Sequence, residues 1–280
     1  MAVSQTPSFS SLFNSRFTFG NYGKLTGRFG LNVLDDLIAG IDEFKAEASA
    51  GRPSPRDAGP AMLGAFMWLD DPALLERIAD YPHACVSFTK QPRPFPIAKL
   101  ARLHDTLERC PGFPSAALPE LETLAVRDEF GQPQVVGPST RLSRPRIPGL
   151  RTLGYRKTGG RMVPILHAKM VLLGNLRWHE GEEFGLGEML RFLPRKVWIG
   201  SANGTYSSRF SLEFGCWQAD PKLLRYAQRF LTQVIAKSED LDPDSNNMDP
   251  DLVEIEYDDQ AMAEAWAAIA ESLDDEDDQP

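Results

Sequence analysis

The sequence has few of the residues that build disulfide or metal frameworks. It contains 3 cysteines and 4 histidines among 280 residues. Cys85, Cys110 and Cys216 are odd in number and widely spaced, which argues against a disulfide framework and is typical of a reducing compartment. No cluster of Cys and His has the spacing of metal ligands, so we expect no structural zinc and no other cofactor.

Long apolar runs are missing as well. No stretch approaches the ~20 apolar residues that a membrane helix requires. Residues 1–20 lack the charged start and continuous apolar segment of a secretory signal. The sequence therefore predicts a cytoplasmic protein with no membrane partner.

Basic residues are missing from the C-terminal part of the chain. All 30 Lys and Arg residues lie at or before Lys237, and 17 acidic residues follow it. The part up to Lys237 has a net charge of +8, although the whole chain has a net charge of -9. This asymmetry favours a polyanionic partner. The acidic segment either folds back onto the basic part in competition with nucleic acid or only solubilises the chain, and both hypotheses stay open.

Apolar periodicity predicts alternating helices and strands, which is typical of an α/β layered fold. Two Asp-Pro pairs, Asp71-Pro72 and Asp220-Pro221, predict helix starts with an aspartate N-cap and proline in the first turn. The other predicted helices lie at 31–48 and around Ile97 to Leu107, and the predicted strands lie at 61–69, 84–89, 162–173, 196–201 and 211–218.

Three predicted strands carry polar side chains suited to phosphodiester chemistry. His167 and Lys169 are two residues apart, so in a strand their side chains share a face. Ser201 and Asn203 repeat this spacing at the end of the next strand, and Glu213 lies in a third. An imidazole can act as the nucleophile, while ammonium and amide groups stabilise charge on phosphoryl oxygens.

The stretch LHAKMVLLG, followed by VWIGSANGTYSSRFSLEFG, resembles the phospholipase D superfamily signature of His-x-Lys-x4-Asp, Gly-Ser-x-Asn and a downstream Glu. The resemblance covers roughly residues 60–240 and implies a mixed β-sheet flanked by helices. It implies that His167 forms a phosphohistidine, that Lys169 and Asn203 hold the phosphate, that Ser201 assists, and that Glu213 orients His167.

The chain departs from this signature in two places. Gly174 stands where the motif has its aspartate, and the spacing from Lys169 to Ser201 is longer than usual. We expect the excess, residues 175–195, to form a loop or hairpin near the site that acts as a lid or contacts substrate.

The chain holds a single copy of the motif, and relatives with one motif complete the site as homodimers. One imidazole cannot easily be both nucleophile and leaving-group acid in the same step. We therefore expect a twofold dimer in which two His167 side chains face each other.

Residues 130–179 contain no acidic residue and nine basic ones, the pattern of a groove that follows a phosphate backbone. With the resemblance to one-motif bacterial endonucleases, this favours a metal-independent nuclease acting on DNA or RNA. Two alternatives are a phospholipase acting on phospholipid and a catalytically silent binding or assembly subunit, and recruitment to a larger defence or repair complex is left open. The candidate nucleic-acid-binding residues are Arg141, Arg144, Arg146, Arg151, Arg156, Lys157, Arg161 and Arg209.

Composition and motif together divide the chain into three parts. Residues 1–60 are predicted to form an N-terminal helix and linker, and residues 61–237 the phospholipase D-like catalytic domain. Residues 238–280 are predicted to form an acidic linker, a helix and a disordered tail.

Overall fold

The computed structural model describes most of the chain up to Leu241. The predicted role of the acidic segment therefore concerns residues that lie largely outside the described ones. Among the helices of the described residues, none has the length and apolar character needed to cross a bilayer. The described ranges are 15–18, 26–50, 54–90, 97–119, 121, 126–127, 133–136, 141–142, 146–154, 156–158, 161–163, 165–180 and 188–241.

The helices occur close to where the sequence predicts them, and the strands are more numerous than predicted. The α-helices are α1 Val33–Ala50, α2 Pro72–Ala79, α3 Ile97–Arg109 and α4 Pro221–Lys237. The strands are β1 Ser15–Thr18, β2 Thr26–Gly30, β3 Asp57–Phe66, β4 His83–Thr89, β5 Phe113–Pro114, β6 Val126–Arg127, β7 Pro133–Val136, β8 Arg141–Leu142, β9 Arg146–Ile147, β10 Leu150–Leu153, β11 Arg156–Thr158, β12 Arg161–Val163, β13 Lys169–Glu180, β14 Glu188–Gly200, β15 Glu213–Gln218 and β16 Glu239–Asp240.

A central sheet of nine strands organises the fold, in the order β1-β2-β15-β14-β13-β3-β4-β10-β16. The β3–β4 and β4–β10 pairs are parallel, and the other pairs are antiparallel. The sheet is therefore mixed, and the prediction of an α/β fold with a mixed sheet flanked by helices is confirmed.

Helices cover both faces of this sheet. Along β3, Met62 and Phe66 belong to the buried cluster that includes residues of α1, α2 and α3. The alternate residues Leu63 and Ala65 belong to the cluster that includes residues of α4. Because successive strand residues point to opposite faces, a strand covered on both sides is apolar almost continuously. This explains the apolar run that predicted β3.

The two Asp-Pro helix starts are confirmed. The Asp71 carboxylate accepts a hydrogen bond from Leu74 N at 3.0 Å, and Pro72 opens α2. The Asp220 carboxylate accepts one from Leu223 N at 2.8 Å, and Pro221 opens α4. Each aspartate satisfies a backbone N–H that the first helical turn leaves without a partner.

Residues on both sides of the predicted catalytic domain take part in the central sheet and its core. Strand β2 pairs with β15, and β16 pairs with β10. Helix α1 buries Leu34, Leu37 and Ile41 completely. The division of the chain at residues 60 and 237 stays a prediction, but it does not mark a break in packing.

His83 and Arg146 form a polar contact where β4 begins. His83 Nε2 lies 2.9 Å from the Ala58 carbonyl oxygen, and Nδ1 lies 2.9 Å from Arg146 Nη2. Because an arginine always donates, the neutral ring accepts at Nδ1 and donates from Nε2. Burial and the neighbouring Arg146 charge lower the pKa of His83.

We predict that this contact makes the fold less stable in mild acid. The lowered pKa means that the unfolded chain binds a proton more readily than the folded chain, so stability falls as pH drops below about 6.5. Below the folded pKa the loss levels off. Urea unfolding of the wild type and of His83→Gln between pH 5 and 8 measures it. The variant should lack this pH-dependent component, and identical pH profiles would refute the prediction.

Candidate active site

His167 lies just outside the strand in which the sequence places it. Strand β13 begins at Lys169, and residues 165–168 are not part of a strand. The prediction of a continuous strand over 162–173 is therefore wrong at His167. Instead, the Thr89 hydroxyl holds this segment through two hydrogen bonds with the backbone of Leu166. The His167 side chain is exposed at the edge of the sheet.

The Lys169 ammonium group lies against the His167 ring. Lys169 Nζ is 3.1 Å from Nδ1 and 3.2 Å from Nε2 of His167, and it donates to the His167 carbonyl oxygen at 3.1 Å. Burial lowers the pKa of Lys169, and the charge of Glu213 opposes that shift. An anion that binds Lys169 would thus lie next to the imidazole.

Ser201 and Glu213 form the neighbouring part of the site. The Ser201 hydroxyl donates to the Glu213 carboxylate and accepts a hydrogen bond from Phe214 N at 3.0 Å. The Ser201 N–H donates to the Phe214 carbonyl oxygen at 2.9 Å. The resemblance implies that Glu213 orients His167, whereas in the structure its carboxylate bonds to Ser201.

Strand register brings these two groups of residues to one edge of the sheet. Met170 of β13 pairs with Ile199 of β14, one residue before Gly200. Gly200 in turn pairs with Gly215 of β15. The beginning of β13, the end of β14 and the beginning of β15 therefore meet. The imidazole, ammonium, hydroxyl and carboxylate groups of the predicted site converge there.

Asn203 lies in a loop that the segment between β3 and α2 holds in place. Gly204 O accepts hydrogen bonds from Asp70 N at 2.8 Å and from Asp71 N at 2.9 Å. The Asp70 carboxylate accepts another from Tyr206 N at 2.9 Å. Asn203 Oδ1 is buried and has no hydrogen-bond partner among the described residues. The loop backbone, rather than a bond of its own amide oxygen, sets the position of Asn203.

Arg209 has a structural role in place of the predicted nucleic-acid contact. Its guanidinium donates to the buried Asp71 carboxylate, from Nε at 2.6 Å and from Nη2 at 3.0 Å, and it also bonds to Asp35. These hydrogen bonds raise the pKa of Arg209 above its usual value, with the bond to Asp71 as the largest cause. Arg209 joins the Asn203 loop to the starts of α1 and α2, and its prediction as a nucleic-acid ligand is corrected.

Arg151 and Arg146 are likewise occupied inside the fold. Arg151 is 0% exposed, donates from Nε to Ser238 Oγ at 2.7 Å and pairs with Asp240. Arg146 donates to the carbonyl oxygens of Pro111 at 2.6 Å and Gly112 at 2.7 Å. Both were predicted to bind nucleic acid, and their side chains instead satisfy internal acceptors. Among the remaining candidates, Arg144 and the side chains of Arg141, Arg156, Lys157 and Arg161 lie outside what the structure describes.

The predicted insertion, residues 175–195, falls in a hairpin of β13 and β14, toward the ends of these strands that lie far from Lys169. Strands β13 and β14 pair as far as Glu180 and Glu188. At about 3.3 Å per residue, Glu180 lies roughly 35 Å from Lys169. The hairpin prediction for residues 175–195 is confirmed for the described residues, but the expected lid over the site is wrong, because the strands carry the hairpin away from it.

Gly174 occupies a β-bulge that has no room for the motif aspartate. A Cβ atom at residue 174 would lie 2.2 Å from Leu193 O and 2.7 Å from a ring carbon of Phe192. The register of β13 with β14 shifts between Leu173 and Gly174. The position where the motif has its aspartate therefore also departs from regular strand geometry.

Gly174→Ala is expected to destabilise the protein by about 1–3 kcal/mol, because backbone atoms must move to admit the methyl group. Gly64→Ala is the matched change on the adjacent strand β3. Its Cβ would first meet Val86 side-chain atoms at 3.1 Å, so it should have the smaller effect. Urea unfolding of both variants measures the difference. Equal stabilities for the two variants would contradict the prediction.

Exposed apolar side chains are concentrated at the same edge. Phe214, next to Glu213, packs against Phe29 with ring centroids 6.2 Å apart. Tyr206 and Phe210 form an edge-to-face pair at 5.3 Å, and Phe210 is 69% exposed. Sequence periodicity could not reveal this feature, since each residue belongs to a short strand, a short 3-10 helix or a loop. We call Phe29, Tyr206, Phe210, Leu212 and Phe214, all at least 46% exposed, the site-edge apolar cluster.

Comparisons with known proteins show a distant likeness of fold. No protein-family model matches the chain, and no curated protein matches its sequence. NucT from Helicobacter pylori is similar at 12% identity and a TM-score of 0.36, over 81% of this chain and 98% of that chain. Nuc from Salmonella typhimurium, a phospholipase D family member, is similar at 12% identity and a TM-score of 0.39, over 78% and 98%.

Proposed function

We propose that the chain is a metal-independent phosphodiesterase, acting as a nuclease on DNA or RNA through a phosphohistidine at His167. The observation that carries this proposal is the placement of Lys169 Nζ within 3.2 Å of both His167 ring nitrogens. The Ser201–Glu213 pair lies at the same edge of the sheet. A phosphate bound by the ammonium group would be in reach of the imidazole.

The reaction takes two steps. In the first, a His167 ring nitrogen attacks phosphorus, a P–N bond forms, and the bond from phosphorus to the leaving oxygen breaks as that oxygen gains a proton. In the second, water attacks phosphorus, the P–N bond breaks, and the proton lost by the water returns to the group that protonated the leaving oxygen. Lys169 and Asn203 bind the phosphoryl oxygens and stabilise the charge that develops there. Ser201, fixed by Glu213 and by Phe214 N, supplies a hydroxyl group beside them.

The charge distribution supports a nucleic-acid substrate. The chain up to Lys237 carries +8, and a phosphate backbone is the polyanion that such a charge attracts. Arg141, Arg144, Arg156, Lys157 and Arg161 remain the proposed contacts. Phospholipid is the second candidate substrate, favoured by the exposed apolar side chains beside the site.

Incubation of the purified protein with labelled single- and double-stranded DNA and RNA, and with phosphatidylcholine vesicles, tests the proposal. All arms contain excess EDTA, and a parallel set contains added magnesium instead. We expect nucleic-acid cleavage in EDTA and no release of headgroup from the vesicles. Headgroup release without nucleic-acid cleavage would favour the lipid substrate. Binding without cleavage in every arm would favour a silent binding subunit.

We further propose that two copies of the chain form the complete site. A second imidazole would protonate the leaving group, which His167 cannot do while it attacks phosphorus. The site-edge apolar cluster supports this arrangement, since exposed apolar groups beside a polar site mark an interaction surface.

The double variant Phe210→Glu/Leu212→Glu is expected to be monomeric and to lose most cleavage activity, because charges in the cluster oppose its burial. The control is Phe230→Glu, since Phe230 lies on α4 and is 39% exposed. Sedimentation velocity and the cleavage assay, at the same protein concentration, measure both properties. A wild-type monomer with full activity would rule out the shared site.

A further inference from the structure

The segment that carries His167 is held by a residue far away in sequence. Thr89 Oγ1 accepts a hydrogen bond from Leu166 N at 2.9 Å and donates one to Leu166 O at 3.0 Å. Thr89 is the last residue of β4 and is 4% exposed, and Leu166 is 5% exposed. One buried hydroxyl thus satisfies both backbone groups of the residue before His167.

This contact replaces the sheet pairing that His167 lacks. Strand β13 begins at Lys169, so the register that fixes Lys169 and Met170 does not extend to residues 165–168. The His167 side chain is itself exposed. Its direction therefore depends on the Lys169 contact and on the backbone immediately before it, which Thr89 holds.

Three other buried threonines among the described residues have no comparable contact. Thr152 Oγ1, on the neighbouring strand β10, and Thr232 Oγ1, on α4, are buried without a hydrogen-bond partner among the described residues. Thr106 Oγ1 donates within its own helix, to Arg102 O at 2.8 Å. Burial of a threonine in this fold therefore does not by itself produce a hydrogen bond to another segment. The Thr89 hydroxyl differs from these three because it bonds to the segment that carries His167.

We propose that Thr89 is a positioning residue for His167, an inference that rests on the proposed phosphohistidine chemistry. A nucleophile displaced by about 1 Å loses on the order of 100-fold in rate, because reaction requires a near-attack geometry. Both hydrogen bonds of the Thr89 hydroxyl go to the Leu166 backbone rather than to the His167 ring. It acts by fixing Leu166, and through Leu166 the starting point of the His167 side chain.

The test uses Thr89→Val, which keeps the shape of the side chain and removes both hydrogen bonds. We expect kcat to fall roughly 10- to 100-fold while KM stays within about twofold of wild type. Thr89→Ser, which retains the hydroxyl, should recover most of kcat. The matched control is Thr152→Val on the adjacent strand, which removes a hydroxyl without a partner and should leave kcat unchanged.

A second measurement separates this inference from the proposed function. The ¹H–¹⁵N NMR signal of the His167 ring should shift or broaden in Thr89→Val and stay unchanged in Thr152→Val, whether or not the protein cleaves any substrate. Absence of cleavage by the wild type, together with this spectral change, would refute the nuclease and retain the positioning role. A Thr89→Val protein that melts at lower temperature, yet keeps wild-type kcat and the wild-type His167 signal, would overturn it.

Discussion

Replacing His167 with alanine is expected to abolish phosphodiester cleavage, with kcat lowered by at least roughly 10³-fold. The reason is that the imidazole supplies the atom that bonds to phosphorus, and Lys169, at 3.1 Å from the ring, cannot replace it in the same geometry. Lys169→Ala should also lose activity, because the phosphoryl oxygens lose their cationic partner. Cleavage of labelled oligonucleotide in excess EDTA measures each variant.

The control for this prediction is a histidine on the same strand. His179 lies in β13, ten residues beyond Lys169 and at the hairpin end, so His179→Ala should keep near wild-type cleavage. Rapid alkaline quenching of the wild type should trap a phosphohistidine, which is absent from His167→Ala. Activity that survives in His167→Ala, or that requires added magnesium in the wild type, would disprove the mechanism.

The features that the sequence predicted well are local ones. An Asp-Pro pair before an apolar helical stripe predicts both the cap and the first turn, and Asp71 and Asp220 each accept the expected backbone N–H. The motif residues were expected on three strands; the start of β13, the end of β14 and the start of β15 do meet, and the catalytic roles of these residues stay predictions. Local capping chemistry and strand periodicity need no knowledge of distant partners.

The features that the sequence could not predict depend on distant contacts. His167 was placed in a strand because apolar residues surround it, whereas its neighbour Leu166 bonds to Thr89, 77 residues away in sequence. Arg151 was counted as a nucleic-acid ligand because it lies in a basic stretch, and Asp240, 89 residues away, is its partner. A count of charge does not show which charges are already paired inside the fold.

The basic stretch is a weaker guide to nucleic-acid contacts than its composition indicates, because two of its arginines bind groups inside the fold. Arg146 and Arg151 both lie in the segment without acidic residues, yet one donates to backbone carbonyl oxygens and the other is fully buried. Asp240 neutralises the charge of Arg151, whereas the charge of Arg146 still attracts a polyanion over a distance. Direct phosphate contacts must come from other residues.

Asp71 has more structural partners than the motif residues do. Its carboxylate is 0% exposed, caps α2 through Leu74 N, and accepts two hydrogen bonds from Arg209. Its backbone N–H donates to Gly204 O, directly after Asn203. Asp71 therefore stabilises the start of α2 and also holds the loop that carries Asn203.

Asp71→Ala is expected to destabilise the protein by about 3–5 kcal/mol, because it leaves the Arg209 charge with one partner fewer and removes the cap of α2. Urea unfolding measures the change. The control is Asp42→Ala, which breaks the exposed Asp42–Arg77 pair and should cost no more than about 1 kcal/mol.

Arg209→Lys in folded protein should lower kcat in the wild-type background and have no further effect in Asn203→Ala, since the loop acts through Asn203. Additive losses of kcat in the Arg209→Lys/Asn203→Ala double variant, or an Asp71→Ala protein as stable as Asp42→Ala, would show that the Asp71–Arg209 pair does not hold the Asn203 loop.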